Sequence, residues 1–117
     1  MLEIYQKTLS KKVSFKGTGL HSGKISEINL LPAPENSGIV FKRVDLIDKN
    51  LIKANFANVS SAKLCTTLEN DHEVKVSTVE HLLAALYITG IDNALIEINN
   101  EEVPIMDGSS KDFIKLL

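Results

Sequence analysis

The chain has 117 residues, of which 44% are hydrophobic and 24% are charged, with a formal net charge of -2. This is enough chain for one domain with a single core, and the composition is that of an ordinary water-soluble protein. The negative net charge and the lack of Trp argue against a nucleic-acid partner, which requires a basic face and stacking side chains. One Cys excludes an internal disulfide, and no apolar run approaches the ~20 residues of a membrane helix. We therefore expect a cytoplasmic protein without an integral membrane segment.

Strand-forming segments fill most of the first 76 residues. Residues 1–15 and 24–31 are predicted strands, and prolines at positions 32 and 34 end the second one by removing backbone donors. The glycine-punctuated residues 17–23 connect the two strands, and they lack the spacing of a phosphate-binding loop. Residues 39–41 predict a further short strand.

The next segment predicts a loop followed by a hairpin. Residues 45–53 are mixed and polar, which indicates a loop or a small excursion. Residues 59–68 are strand-like, residues 69–73 predict a hairpin turn, and residues 74–76 predict the returning strand.

A helix follows the hairpin. Its apolar residues recur at i, i+3, i+4 and i+7, which makes one stripe of an α-helix; they are Val79, Leu82, Leu83 and Leu86. Ser77 occupies the expected N-cap position, and Gly90 fits the left-handed residue that closes a helix.

After the helix, the sequence again alternates between two faces, as in a strand. Ala94, Ile96 and Ile98 share one face of a predicted strand, which suits a sheet packed on the helix. Residues 99–102 predict a polar turn, and a second helix is expected to begin at Ser109. The chain stops on Leu117, an apolar helix position, so we expect a fragment of a longer protein. Strands first and then helix, strand and helix predict an α+β fold of two layers, with a mostly antiparallel sheet and helices packed on one face.

Glu80 and His81 are the strongest candidate functional residues. A carboxylate beside an imidazole in the first turn of a helix suits a metal site, with the imidazole as ligand and the carboxylate as base for the attacking water. Ser77 and Glu80 also match a capping box, in which Glu80 would serve only the helix end. Because one His does not make a metal site, spacing alone favours the capping role.

Four other residues have structural roles as their simplest interpretation. His21 is expected to form a structural hydrogen bond, His72 to lie in a solvated turn, and Asp107 to serve a turn or a cap. Cys65 has no evident base partner and is expected to be a half-buried small side chain.

Several short motifs in register carry a family resemblance. They are Gly19-Leu20-His21-Ser22-Gly23, Leu64-Cys65-Thr66, Ser77-Thr78-Val79-Glu80-His81, Gly90-Ile91-Asp92-Asn93 and Pro104-Ile105-Met106-Asp107-Gly108-Ser109. With them the chain resembles the N-terminal half of the zinc-dependent UDP-3-O-acyl-N-acetylglucosamine deacetylases of lipid A biosynthesis.

The resemblance implies a function and assigns residues to it. Residues 1–117 would be the N-terminal one of two similar domains, with a family-specific insert near residues 45–53. Glu80 would be the general base and His81 one ligand of a single Zn²⁺, while Leu64 and Cys65 would lie beside the substrate. Two further zinc ligands would come from the C-terminal domain, the partner of this one. The intact protein would hydrolyse the acetamide of UDP-3-O-acyl-N-acetylglucosamine, and this chain alone would be inactive.

Two alternatives remain open at this stage. The chain could be a non-catalytic α+β interaction module, in which Glu80 only caps its helix and His81 is a surface residue. It could also be one half of a split enzyme that needs a separately encoded partner.

Overall fold

A computed structural model describes residues 5–62 and 65–104, together with Ile114 and Leu117. The described residues form eight strands, one α-helix and a short 3-10 turn at Phe56–Asn58. The elements are β1 (Val13–Thr18), β2 (Ile25–Pro32), β3 (Ile39–Arg43), β4 (Leu51–Lys53), β5 (Val59–Ser61), β6 (Thr67–Glu69), β7 (Lys75–Ser77), α1 (Glu80–Ile88) and β8 (Ala94–Ile98). No helix within these ranges is long and apolar enough to cross a membrane.

The larger sheet has five strands in the order β1-β2-β8-β3-β4. Its neighbours pair antiparallel except β3 and β8, which run parallel. β8 is the last of these strands along the chain, yet it occupies the centre, where Ile96 pairs with Leu30 on one side and Phe41 on the other. The mostly antiparallel sheet of the sequence-based prediction is confirmed.

A single hydrophobic core joins this sheet to the helix. The sheet contributes alternate residues of one face, as the period of a strand requires, and α1 contributes its apolar stripe. The fully buried members include Ile28, Leu30, Phe41, Ile52, Ile96 and Ile98 from the sheet, and Val79, Leu82, Ala85 and Leu86 from the helix region. Each of these side chains except Ala85 contributes about 1.5–3 kcal/mol by leaving water. The α+β fold with the helix on one face is therefore confirmed.

A second sheet, not anticipated from the sequence, has the order β5-β6-β7 and is antiparallel. The predicted hairpin turn between β6 and β7 is confirmed, and the Asn70 side chain organises it by accepting from the N–H groups of His72 and Val74. The strand predicted over residues 59–68 is wrong at Ala62, Cys65 and Thr66, which lie outside β5 (Val59–Ser61) and β6 (Thr67–Glu69).

Two other predicted boundaries also differ. Of the strand predicted over residues 1–15, β1 contains only the part from Val13 onward, and residues 5–12 contribute only an isolated bridge from Thr8 to Asn93 to the sheet pairing. Residues 51–53, predicted as loop, form β4 because Ile52 pairs with Phe41 and is fully buried. The burial of Ile52 thus outweighed the mixed, polar composition from which a loop was predicted for residues 45–53.

The prediction for the N-terminal end of α1 is wrong, and the prediction for its C-terminal end is confirmed. The N-cap is Val79 rather than Ser77, which belongs to β7, so the predicted capping box is wrong. The C-terminal prediction is confirmed: Gly90 has φ +77°, its N–H donates to Tyr87 O, and the Ile91 N–H donates to Leu86 O. This is the Schellman pattern, which satisfies the last carbonyls of a helix.

The second predicted helix and Asp107 lie outside the described residues, apart from Ile114 and Leu117. Ile114 is helical, and both residues are partly buried against the core.

Candidate functional site

The first turn of α1 brings Glu80 and His81 to the edge of the domain. Both side chains are half-buried, whereas Leu82 beside them is fully buried. The same outer face of the helix continues through Tyr87 and Ile88, which are 86% and 63% exposed. The two candidate residues therefore lie where a ligand or another polypeptide can reach them.

Glu80 is oriented by the segment that precedes β6. Its Oε2 accepts a hydrogen bond from the Thr66 backbone N–H at 2.9 Å, and Thr66 O accepts from the Val79 N–H at 3.3 Å. The Ser77 N–H, which a capping box would direct to Glu80, donates instead to Glu101 O at 2.7 Å. The carboxylate is thus positioned by tertiary contacts and is not used as a helix cap.

His81 supplies one imidazole to this edge. A zinc site needs three protein ligands, and the described residues contain no group of three His, Cys, Asp or Glu side chains that could hold a metal ion. His81 fits the role of a single nitrogen ligand, and a complete site would take its other ligands from polypeptide outside the described ranges. His72 is exposed in the β6–β7 turn, as predicted.

The second polar feature is a cluster around the carboxylate of Glu102, which is only 3% exposed. Oε1 accepts from the N–H groups of Ser22 at 2.8 Å and His21 at 3.0 Å. Oε2 accepts from Thr78 Oγ1 at 2.6 Å and lies 2.8 Å from His21 Nδ1. Because an ionised carboxylate only accepts, the last contact places a proton on Nδ1. We call Glu102, His21, Ser22 and Thr78 the Glu102 cluster.

The charge of Glu102 is stabilised within this cluster. Burial raises the pKa of a carboxyl group, but the hydrogen bonds from Thr78, Ser22 and His21 outweigh burial and lower the pKa of Glu102 to about 2. The glycine before these donors is required by close approach: a Cβ on Gly19 would collide with Glu102 Oε1 and lie 2.6 Å from Ser22 Oγ. The structural hydrogen bond predicted for His21 is confirmed.

The Glu102 cluster adjoins the start of α1 through Thr78, which lies between β7 and the N-cap. Thr78 is buried and has φ +60°, a left-handed conformation that is unfavourable for a β-branched residue. Its neighbour Ser77 is held on both sides, since its N–H donates to Glu101 O and its O accepts from the Val103 N–H. The backbone entering the helix is therefore fixed by the segment after β8.

Sequence reasoning missed both Glu102 and Thr78. Glu102 was assigned to a polar turn, and its neighbour Glu101 is indeed exposed. The one local hint is that Glu102 directly precedes Val103 and Pro104, which are buried with it. No residue spacing within the strand or turn predicts that its partners His21 and Thr78 lie 81 and 24 residues away.

Cys65 is half-buried, as predicted, with Sγ 3.9 Å from Thr67 Oγ1. It lines a cavity of about 270 Å³ together with His21, Ser77 and Glu102. Leu64 lies outside the described residues. A position beside the substrate therefore stays a prediction for both residues.

Comparison with known proteins gives the affiliation of the chain. Residues 6–117 match the family LpxC, described as UDP-3-O-acyl N-acetylglycosamine deacetylase. Over 114 residues the chain is 52% identical to the UDP-3-O-acyl-N-acetylglucosamine deacetylase of Idiomarina loihiensis, 51% to that of Colwellia psychrerythraea and 48% to that of Wigglesworthia glossinidia brevipalpis.

These alignments cover 97% of this chain but only 37% or 38% of each relative. The chain thus spans less than two fifths of the length of the curated relatives that it matches. The motifs on which the resemblance was based fall within the matched residues, and the identity extends over nearly the whole chain. The chain belongs to the UDP-3-O-acyl N-acetylglycosamine deacetylase family.

Proposed function

We propose that the full-length protein containing this chain is a zinc-dependent hydrolase that removes the acetyl group from UDP-3-O-acyl-N-acetylglucosamine in lipid A biosynthesis in the cytoplasm. The observation that carries the proposal is the Glu80 carboxylate, held by the Thr66 N–H beside His81 on an accessible edge of a domain of this family. The substrate follows the names of the matched relatives.

Glu80 acts as the general base. In amide hydrolysis, water adds to the acetamide carbonyl, the C–N bond breaks, and acetate and the free amine leave. A carboxylate within reach of the water accepts its proton as the new C–O bond forms. The Thr66 hydrogen bond occupies one Glu80 oxygen and holds the group in one orientation, which is what efficient proton transfer requires.

His81 holds the zinc ion together with ligands from the remainder of the full-length protein. When bound, zinc supplies a Lewis acid that polarises the carbonyl and makes the attacking water more acidic. The exposed Tyr87 and Ile88 lie on the same face of α1 as these residues. We assign this face to contact with the rest of the protein, because large apolar side chains grouped on one exposed helix face favour an interface.

The test uses the full-length protein and measures acetate release together with zinc content. Glu80→Gln is expected to lower kcat by about 10²–10⁴, the usual contribution of a general base, while zinc remains bound. His81→Ala is expected to lose zinc and activity together. His72→Ala, which alters the exposed hairpin histidine, is the matched control and should retain both. Wild-type turnover in Glu80→Gln would refute the proposal.

Residues 1–117 by themselves should show no deacetylation and at most weak zinc affinity, because one imidazole cannot compete with water for the ion. If a separately encoded chain restored activity to residues 1–117, the protein would be one half of a split enzyme and not part of a single longer polypeptide. Zinc-free, inactive full-length protein would favour the interaction module.

A further inference from the structure

The entry into α1 depends on an unfavourable backbone conformation. Thr78 has φ +60° although it is β-branched, and such a residue persists only where its surroundings enforce it. Its hydroxyl donates to Glu102 Oε2 at 2.6 Å, and the residue is buried. The Glu102 carboxylate is thus the side-chain partner that holds Thr78 in place.

Thr78 controls where the first helical turn points. Val79 follows it as the N-cap, and Glu80 and His81 are the next two residues. A change in the Thr78 dihedral angles would rotate the start of α1 relative to Thr66, whose N–H must lie 2.9 Å from Glu80 Oε2. The geometry of the candidate base and ligand therefore depends on a residue whose hydroxyl is hydrogen-bonded to Glu102.

We propose that Glu102 is a positioning residue for the hydrolysis: by holding Thr78, it sets the orientation of Glu80 and His81. The inference rests on the proposed function for its readout, but it concerns a different residue. Glu102 acts through the backbone entering α1 and touches no reacting atom. The loop that carries His21 and Ser22 contributes by fixing the Glu102 carboxylate itself.

A carboxylate suits this position because every partner is a donor. The backbone N–H groups of Ser22 and His21 can only donate, so a glutamine here would have to direct its single oxygen toward them. Its NH₂ group would then face Thr78, whose hydroxyl would have to accept instead of donate and would lose the charge-assisted bond to Oε2. Glu102→Gln should therefore weaken the hold on Thr78 while leaving the volume of the side chain nearly unchanged.

The cleanest test compares Thr78→Ala with Thr78→Ser in the full-length protein. Both variants remove the methyl group and leave a non-glycine residue at positive φ, but only serine retains the hydroxyl donor. We expect Thr78→Ala to lower kcat about tenfold with KM unchanged, since small misplacement of catalytic groups carries penalties of this order. Thr78→Ser should keep a kcat near that of the wild type.

Glu102→Gln is expected to lower kcat in the same direction as Thr78→Ala but by a smaller factor, and Glu101→Gln is its matched control. Glu101 is the exposed neighbour, so its variant removes the same charge without disturbing the Glu102 cluster. Thermal unfolding of each variant identifies any that fail to fold. If Glu102→Gln does not fold, the Thr78 pair decides alone.

Two outcomes would overturn the positioning role. One is equal kcat for Thr78→Ala and Thr78→Ser, and the other is a change in KM alone. Glu80→Gln, assayed in parallel, separates this failure from that of the proposed function. If Glu80→Gln is inactive while Thr78→Ala turns over like the wild type, only the positioning role is wrong.

Discussion

Two buried polar side chains flank β8, and they obtain their hydrogen bonds from different kinds of partner. Asn93 lies just before the strand and Glu102 lies four residues after its end, and each is only 3% exposed. Asn93 Oδ1 accepts from the Gly38 N–H at 2.8 Å, and its Nδ2 donates to Gln6 Oε1 at 2.8 Å. We call Asn93, Gly38 and Gln6 the Asn93 cluster.

The difference lies in charge and in what each cluster holds. The Asn93 amide donates and accepts without ionising, and it ties the N-terminal segment to the sheet. The Glu102 cluster consists of one ionised acceptor and donors only, and it holds the strained residue that leads into α1. The two central side chains are equally buried, but we expect the fold to depend more on Glu102, since hydrogen bonds to a charged group contribute more than neutral ones.

The largest contrast is expected when each central side chain is replaced by an apolar one. Glu102→Leu should lower the free energy of unfolding by about 4 kcal/mol, because it removes the charged acceptor from the buried Thr78 hydroxyl and from the N–H groups of His21 and Ser22. Asn93→Leu should cost about 2 kcal/mol, in line with the loss of neutral hydrogen bonds. Urea unfolding of the chain measures both values. Losses of equal size would show that the charge of Glu102 has no special weight.

A contrast in pH dependence is expected next. The pKa of Glu102 is about 2 in the folded protein against an ordinary value of 4.5. A lowered carboxyl pKa gives stability that is complete above pH 4.5 and is lost as the pH falls toward 2. One pKa unit corresponds to about 1.4 kcal/mol, so the loss is on the order of 3 kcal/mol.

This loss would be recorded by measuring the urea midpoint of unfolding between pH 6 and pH 2, at intervals of about half a pH unit. Asn93→Ala should retain it and Glu102→Gln should lack it. The hydrogen bond from Arg43 also lowers the pKa of Asp45, so a common residual slope is expected in both variants. A slope that is unchanged in Glu102→Gln would contradict the assignment.

The smallest contrast concerns one glycine at each cluster. Gly19→Ala should cost about 2 kcal/mol, because the new Cβ meets Glu102 Oε1 where hydrogen bonds from four donors prevent the carboxylate from moving. Gly38 has φ +69° but open space around it, so Gly38→Ala should cost only about 1 kcal/mol of backbone strain. Thermal unfolding of the two variants gives the comparison. A smaller loss of stability for Gly19→Ala than for Gly38→Ala would mean that the Glu102 carboxylate can move aside to accommodate the new Cβ.

The sequence by itself determined the features that depend on neighbouring residues. The stripe through Leu82 and Leu86 predicts α1, Gly90 predicts its end, and the alternation of Ala94, Ile96 and Ile98 predicts the buried face of β8. These signals are local because helix and strand periods are properties of the backbone. The adjacent Glu80 and His81, and the family motifs around them, can likewise be identified from the sequence without a tertiary structure.

Only the tertiary structure decided what depends on residues distant in the chain. Ser77 matches an N-cap in sequence, but it pairs with Thr67 of β6 as the last residue of β7 and also bonds to the segment after β8, so that Glu80 accepts from Thr66 instead. Glu102 resembles any turn glutamate until the fold brings His21 and Ser22, about eighty residues earlier, against its carboxylate. Burial and hydrogen bonding across such separations override local preference, because each buried polar group must find a partner wherever the fold provides one.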